Sequence, residues 1–187
     1  MIGVRIELFS RLLRRFEKPI YVFLQKVEGS AKDKDGEQGA RLRVVRHTVP
    51  PAVQLKSLVE RFLPLPTKEA VQSGKKGPKQ DLSDFVRNVR KEVVALQRRR
   101  DAVSSLANGG RRVKSAKALD AEARDWKLEL REAESGNGGE GYARVKITDE
   151  GEIEEAVVMT DEGKRDLGLE RRIRSRQRAE GLGTVFG

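Results

Sequence analysis

The chain contains no cysteine and a single histidine, His47. Disulfides and thiolate metal sites are therefore excluded, and the composition favours a reducing compartment. One histidine is too few for an all-protein zinc site. Aromatic residues make up only 5% of the 187 residues, so bulky core fillers are scarce. Nowhere does an apolar run reach the ~18 residues that a membrane-spanning helix needs. The first residues, MIGVRIELF, carry Arg5 and Glu7 inside their apolar stretch, which is not the pattern of a signal peptide.

Charge, by contrast, is abundant. Charged residues (36%) nearly equal apolar ones (37%), against a usual charged share of roughly a quarter. Such a chain supports thin core layers with much solvated surface, or a face that is covered only in a complex. The net charge of +10 is spread through both halves. It suits contact with nucleic acid phosphates, an acidic protein partner, or a plain solvated basic surface.

The stretch from Arg41 to Leu63 reads as a strand, a proline-locked turn and a short amphipathic helix. Pro50 and Pro51 lack an N–H and fix φ, so the strand stops there. Leu55, Leu58, Val59 and Phe62 then share one helical face, and Pro64 and Pro66 end the helix. Upstream, Val4, Ile6 and Leu8 alternate with Gly3, Arg5 and Glu7 as in a half-buried strand. That strand begins almost at the first residue, so a preceding N-terminal segment is expected. Ser10 to Lys18 is either a loose helical turn or a hairpin connection. Ile20 to Val27 reads as a central strand buried on both faces. A polar loop separates it from the strand Arg41 to Val49, giving three meandering antiparallel strands and a helix.

Residues 67–80 read as a linker, with Gly74, Gly77, Pro78 and interspersed lysines, unable to bury enough surface to order itself. Asp81 is a good N-cap, with Asp84 in the first turn of a long helix that runs to about Ala107 and stops at Gly109 and Gly110. Leu82, Val86, Val89, Val93, Leu96, Val103 and Ala107 form a narrow stripe, interrupted at Arg100. It suits either an intramolecular core or a coiled-coil seam. The other faces carry Arg87, Arg90, Lys91, Arg98 and Arg99. A basic connector, Arg111 to Ala118, leads to three strands: Arg124 to Arg131, Gly141 to Thr148 and Glu152 to Thr160. Glycine-bearing turns join them, including Asp149-Glu150-Gly151. A charged helix, Lys164 to Ala179, closes the chain, with Leu167, Leu169 and Ile173 as its apolar contacts. The pattern therefore predicts an α+β protein of two small units, 1–66 and 81–187.

No catalytic constellation appears. His47 has no nucleophile or orienting carboxylate in a recognisable motif, and reads as a histidine hydrogen-bonded at a strand-to-turn corner. The glycine-rich stretch Gly136 to Gly141 lies between two predicted strands and lacks a phosphate-loop pattern. Arg98, Arg99 and Arg100 point three ways around a helix and do not make one phosphate clamp. Tyr21, Phe23, Trp126 and Tyr142 lack a basic-aromatic ribonucleoprotein motif and read as core packing. The sequence indicates a protein that is not an enzyme and needs no metal or cofactor.

The segments GVRIELF, FEKPIYVFL, RVVRHTVPPAVQL and DLSDFVRNVRKEVVALQRRRDAV, in that order, resemble the fungal branch of the CENP-O family of inner-kinetochore proteins. The later DAEARDWKLEL, GYARVKITDEGEIEEAVV and EGKRDLGLERRI fit the same pattern. Its most specific piece is His47, Thr48, Val49 and Pro50 through Leu55. The resemblance implies tandem RWD units, each a small antiparallel sheet packed against helices. It implies a structural role at the centromere in the nucleus, as half of a heterodimer with a CENP-P-like protein. That dimer would sit with CENP-Q-like and CENP-U-like subunits in a COMA-type complex for chromosome segregation, with DNA contact weak or indirect and no membrane.

Ala52 and Gln54 depart from the family pattern, which has a larger apolar residue and a proline there. Family members also carry an N-terminal coiled coil, so the first unit is expected to be incomplete at its N-terminus. The candidate partner-binding residues are Leu58 and Phe62 on the short helix, Leu82, Phe85 and Val89 on the long one, and the sheet edge from Val4 to Leu8. The rival reading is a basic nucleic-acid-binding adaptor using arginines of the long helix and of Arg171 to Arg178.

Overall fold

The computed structural model describes residues 1–10, 12–27, 41–66, 78–109, 113–131 and 141–176. The fold is α+β, with small antiparallel sheets and, among the described residues, three helices. The chain forms two compact units: Met1–Phe9 with Phe16–Val93, and Ser10–Arg15 with Val94–Gly187. The division falls inside the long helix, whereas composition places the linker at 67–80, of which 67–77 lie outside the described residues.

In the first unit β1 (Ile2–Ile6), β4 (Ile20–Val27) and β5 (Arg41–His47) form a sheet in the order β1-β4-β5. Between β1 and β4 the chain makes a hairpin from β2 (Phe9–Ser10) and β3 (Arg15–Phe16), the second of the two alternatives for Ser10 to Lys18. Central β4 is buried on one face only. Ile20, Val22 and Leu24 are buried, Tyr21 and Phe23 are half-buried, and Gln25 and Lys26 are exposed. The continuous apolar run suggested two covered faces, but the pleat turns Tyr21 and Phe23 to a half-open side where their rings stack at 6.1 Å.

The strand-to-helix corner is built by Thr48 rather than His47, which is exposed. The Thr48 N–H donates to the Tyr21 carbonyl at 2.9 Å, and its Oγ1 accepts from the Tyr21 N–H at 2.9 Å. A side chain thus carries the ladder one residue past the strand. Val49 is buried, and the Val53 N–H closes a turn on the Pro50 carbonyl at 3.0 Å. Gln54, at φ −76° and ψ 64°, sits in an inverse γ-turn, with the Leu55 N–H on the Val53 carbonyl at 2.7 Å. That bend swings the chain into α1 (Leu55–Phe62).

Gln80, the last residue of the expected linker, is tied down. Its Oε1 accepts from the Leu42 N–H at 2.7 Å, and its Nε2 donates to the carbonyls of Leu42, Leu63 and Pro64 at 3.0, 3.1 and 3.2 Å. One amide so serves the outer edge of β5 and the open end of α1. Asp81 then caps α2 (Leu82–Gly109): its Oδ1 accepts from the Asp84 N–H at 2.8 Å. The buried residues of α2 are Phe85, Val89, Val93, Ala95, Leu96, Arg99, Ala102, Val103 and Leu106. This face is wider than a coiled-coil seam and fits packing within the chain.

In the second unit β6 (Val113–Ala118), β7 (Asp125–Leu130), β8 (Gly141–Ile147) and β9 (Ile153–Met159) make a four-stranded meander. The expected basic connector is therefore a strand. A register shift between Val113 and Ser115 breaks the alternation that would have announced it. The inward residues Leu128, Leu130, Ala143, Val145, Ile147, Ala156 and Val158 share a core with Ala102, Val103 and Leu106 of α2 and with Leu169 and Ile173 of α3 (Leu167–Arg176). Leu167, expected in that core, is exposed at the first position of the helix.

Arg99, placed on an outer face by spacing, is 2% exposed, and its guanidinium donates to Asp149 Oδ1 at 2.6 Å. Asp149 lies in the β8–β9 turn and also meets Arg124 at 3.2 Å. The turn sits close on α2: a Cβ added to Gly151, at φ +87°, would lie 3.1 Å from the Arg98 carbonyl oxygen. Only glycine suits that position.

Removal of the Gln80 amide leaves polar groups of β5 and α1 without it. Gln80→Ala is expected to lower stability by about 2 kcal/mol, read as a lower urea midpoint at unchanged slope.

Candidate interaction surface

The residues singled out for partner binding divide by burial. Phe85 is 1% exposed, and Val89 is equally buried. Both side chains are covered within the chain itself. Leu58, Phe62 and Leu82 are half-buried, and the Arg61 guanidinium lies 5.2 Å over the Phe62 ring. Within the family-like turn, Thr48, Pro50 and Leu55 build the corner, and His47 faces solvent.

The most apolar exposed positions were not among those candidates. Phe9 and Phe16 pack edge to face at 5.3 Å, yet stand 52% and 66% exposed. The neighbouring Ser10 is fully buried, so the strand turns its serine inward and its phenylalanine outward, the reverse of a solvated hairpin. In the second unit the inward serine has a purpose. Ser10 Oγ donates to Asp101 Oδ1 at 3.2 Å and accepts from the Leu13 N–H at 3.1 Å. Gln97 Nε2 donates to the same Asp101 oxygen at 2.9 Å. Leu12 and Leu13, beside this anchor, are exposed as well. The sequence signal was present: FSRLLRRF sets its phenylalanines symmetrically about a Leu-Leu turn.

Two sheet edges are closed, one by side chains and the other by side chains and one main-chain N–H. On β5, Gln80 takes both main-chain groups of Leu42, and Arg41 donates to the Pro78 carbonyl at 2.8 Å. On β9, Glu170 Oε1 accepts from the Val158 N–H at 3.0 Å, and the Asp166 N–H donates to the Val158 carbonyl at 3.0 Å. Arg174 donates to the Ala156 carbonyl at 3.1 Å. Glu170 is itself buried and takes two hydrogen bonds from Arg165, at 3.1 and 2.8 Å. The Arg165 hydrogen bond, opposed by burial, holds the Glu170 carboxyl below its ordinary pKa.

The outer face of the second sheet is charged but balanced. Arg144 Nε donates to Asp125 Oδ1 at 2.9 Å, Lys146 meets Glu155 at 2.8 Å, and Lys127 lies 5.0 Å from the centre of the Tyr142 ring. Hydrogen bonds from Arg144 and Lys146 lower the pKa values of Asp125 and Glu155. These cations are engaged on the sheet, so this face is a poor phosphate track. On α2, Arg90, Lys91, Arg98 and Arg100 are exposed, while Arg87 pairs with Asp84 at 2.8 Å. Among the described residues no cluster of His, Cys, Asp or Glu could hold a metal ion, and no helix is long and apolar enough to cross a membrane. The arrangement offers burial of apolar surface and main-chain pairing.

A family model described as Cenp-O kinetochore centromere component matches residues 1–185, nearly the full chain. No curated protein matches it.

Core and surface aromatics should separate cleanly. Phe85→Ala is expected to cost about 3–5 kcal/mol, and Phe16→Ala less than about 1 kcal/mol, both by chemical unfolding. A pH series tests the closure of β9. A carboxylate whose folded pKa is depressed stabilises fully above the ordinary value, 4.5 for glutamate, and loses that contribution as pH falls through the folded value. The unfolding midpoint should therefore fall below pH 4.5. Glu170→Gln should be less stable at neutral pH and lose less on acidification.

Proposed function

This chain belongs to the Cenp-O family of kinetochore centromere components, and from that premise we propose that it is one half of a structural heterodimer whose other half is a CENP-P-like protein. It is a component of the kinetochore and works in the nucleus, at the centromere of the chromosome. Its family is structural, acting among other kinetochore subunits. The finer reading sets the heterodimer in a COMA-type complex with CENP-Q-like and CENP-U-like subunits, in support of chromosome segregation. The two α+β units support reading the chain as tandem RWD modules.

One observation carries the heterodimer: the aromatic pair Phe9 and Phe16 is held in a defined geometry yet left in solvent. Apolar side chains fixed outward are what a stable protein interface covers. The mechanism is burial of surface without chemistry, and a lasting dimer should bury well over ~1,000 Å². Half-buried Leu58, Phe62 and Leu82 belong to the same reading as secondary contacts.

Light scattering after gel filtration tests the proposal, on the chain alone and co-expressed with the CENP-P-like protein of the same organism. A one-to-one complex that survives moderate salt is expected. A chain that ignores that partner, and instead shifts duplex DNA with a log–log salt slope of roughly 0.9 per neutralised phosphate, would make it a basic nucleic-acid adaptor.

A further inference from the structure

We propose that the partner adds an extended strand to the edge of β1 that carries no neighbouring strand among the described residues, pairing with the main-chain groups of Gly3 and Arg5. The inference rests on the heterodimer reading and names the surface it uses.

The two larger sheets have four outer edges. Those of β5 and β9 are closed by Gln80 and by Glu170, Asp166 and Arg174, as described. The edge of β6 carries two deterrents to pairing, the register shift at Val113 and the exposed Lys114 and Lys117. β1 has neither. Its sequence, IGVRI, holds three β-branched apolar residues and no proline, and its pairing with β4 runs without a shift. Its one charge, Arg5, pairs with Glu7 of the same chain segment at 2.5 Å.

The register identifies the groups that face outward. Tyr21 spends both its N–H and its carbonyl on Thr48, on the β5 side of the central strand. Main-chain groups alternate sides along a strand, so those of Ile20 and Val22 turn towards β1, where Ile6 and Val4 stand opposite. Arg5, opposite Tyr21, and Gly3, opposite Phe23, are then the non-bonded pairs. By this alternation their N–H and carbonyl groups point away from β4, and no backbone hydrogen bond outside the strand ladders, among the described residues, reaches them.

Two donors and two acceptors thus lie in one line, about 6.8 Å apart. A helix has already spent such groups internally, and a phosphate backbone accepts without donating. Only an extended main chain matches both. Exposed Met1 and Ile2 lie at the end of the edge, ready to meet alternate side chains of the incoming strand. A second copy of this chain is disfavoured as occupant because each copy brings a net charge of +10.

Proline distinguishes the main chain from the side chain. Arg5→Pro removes one outward N–H and none that bonds to β4, a change edge strands tolerate. Gly3→Pro does the same one pair along. Arg5→Ala removes the guanidinium and keeps the N–H. With the CENP-P-like protein as titrant, Arg5→Pro combined with Gly3→Pro should weaken binding about tenfold or more, and Arg5→Ala should bind nearly as wild type. Amide exchange of the unaltered chain needs no variant: the Gly3 and Arg5 amides should exchange fast alone and at least about tenfold slower in the complex. If the complex forms while these amides stay fast, or while the proline variant binds as wild type, strand addition is overturned and the heterodimer stands. If these amides are slowed in the chain alone as it self-associates, the occupant is a second copy and the proposal fails. Absence of any complex with the unaltered chain removes both readings.

Discussion

Both units depend on one constraint: α2 must bury apolar side chains along its whole length. Phe85, Val89 and Val93 belong to the first unit, and Ala102, Val103 and Leu106 to the core of the second. A free helix of such charge would gain little from propensity alone, because helices in water draw most of their stability from packing. Its 28 residues exceed the usual three turns. The length follows from supplying buried residues to both units in a chain poor in large apolar residues.

Scarcity of apolar material also explains why polar side chains close the structure. Arg99 reaches from inside the helix layer to the β8–β9 turn, where Gly151 permits a close approach. Glu170 seals one sheet edge with Arg165 behind it, and Gln80 seals another. A buried ion pair adds less net stability than its Coulomb energy suggests, but breaking one side of it is costly. These groups therefore fix geometry more than they add free energy. They also show why a net charge of +10 overstates the field open to an anion, since many cations are engaged within the protein.

Much of the fold was legible because the signals were local. The Asp81 cap, the proline corner and the glycine turn at Gly151 each depend on a few adjacent residues, and each sits where the sequence places it. The strands β7 and β8 announced themselves by clean alternation. β6 did not, because one irregular residue shifts its phase. Arg99 was misplaced for a related reason: spacing identifies a stripe by its apolar members, and a buried arginine reads as a gap in it. Phe9 and Phe16 were missed because apolar residues in sequence imply interior, and only the structure shows them exposed while Ser10, next to Phe9 in the chain, is buried. Exposed apolar side chains look like core in one dimension.

The junction at Gln80 bears on how this protein can change over evolutionary time. The Asp81 N–H bonds the Phe62 carbonyl at 2.8 Å while Gln80 holds Leu63 and Pro64, so the chain leaving α1 and the chain entering α2 are stapled together. In sequence, residues 65 to 79 join these two anchored ends. Doubling the length of a flexible connection between fixed ends costs only about 0.6 kcal/mol in closure entropy. Lineages can lengthen, shorten or rewrite this connection without touching the Gln80 junction, and an epitope or fluorescent reporter could be spliced in at the same place.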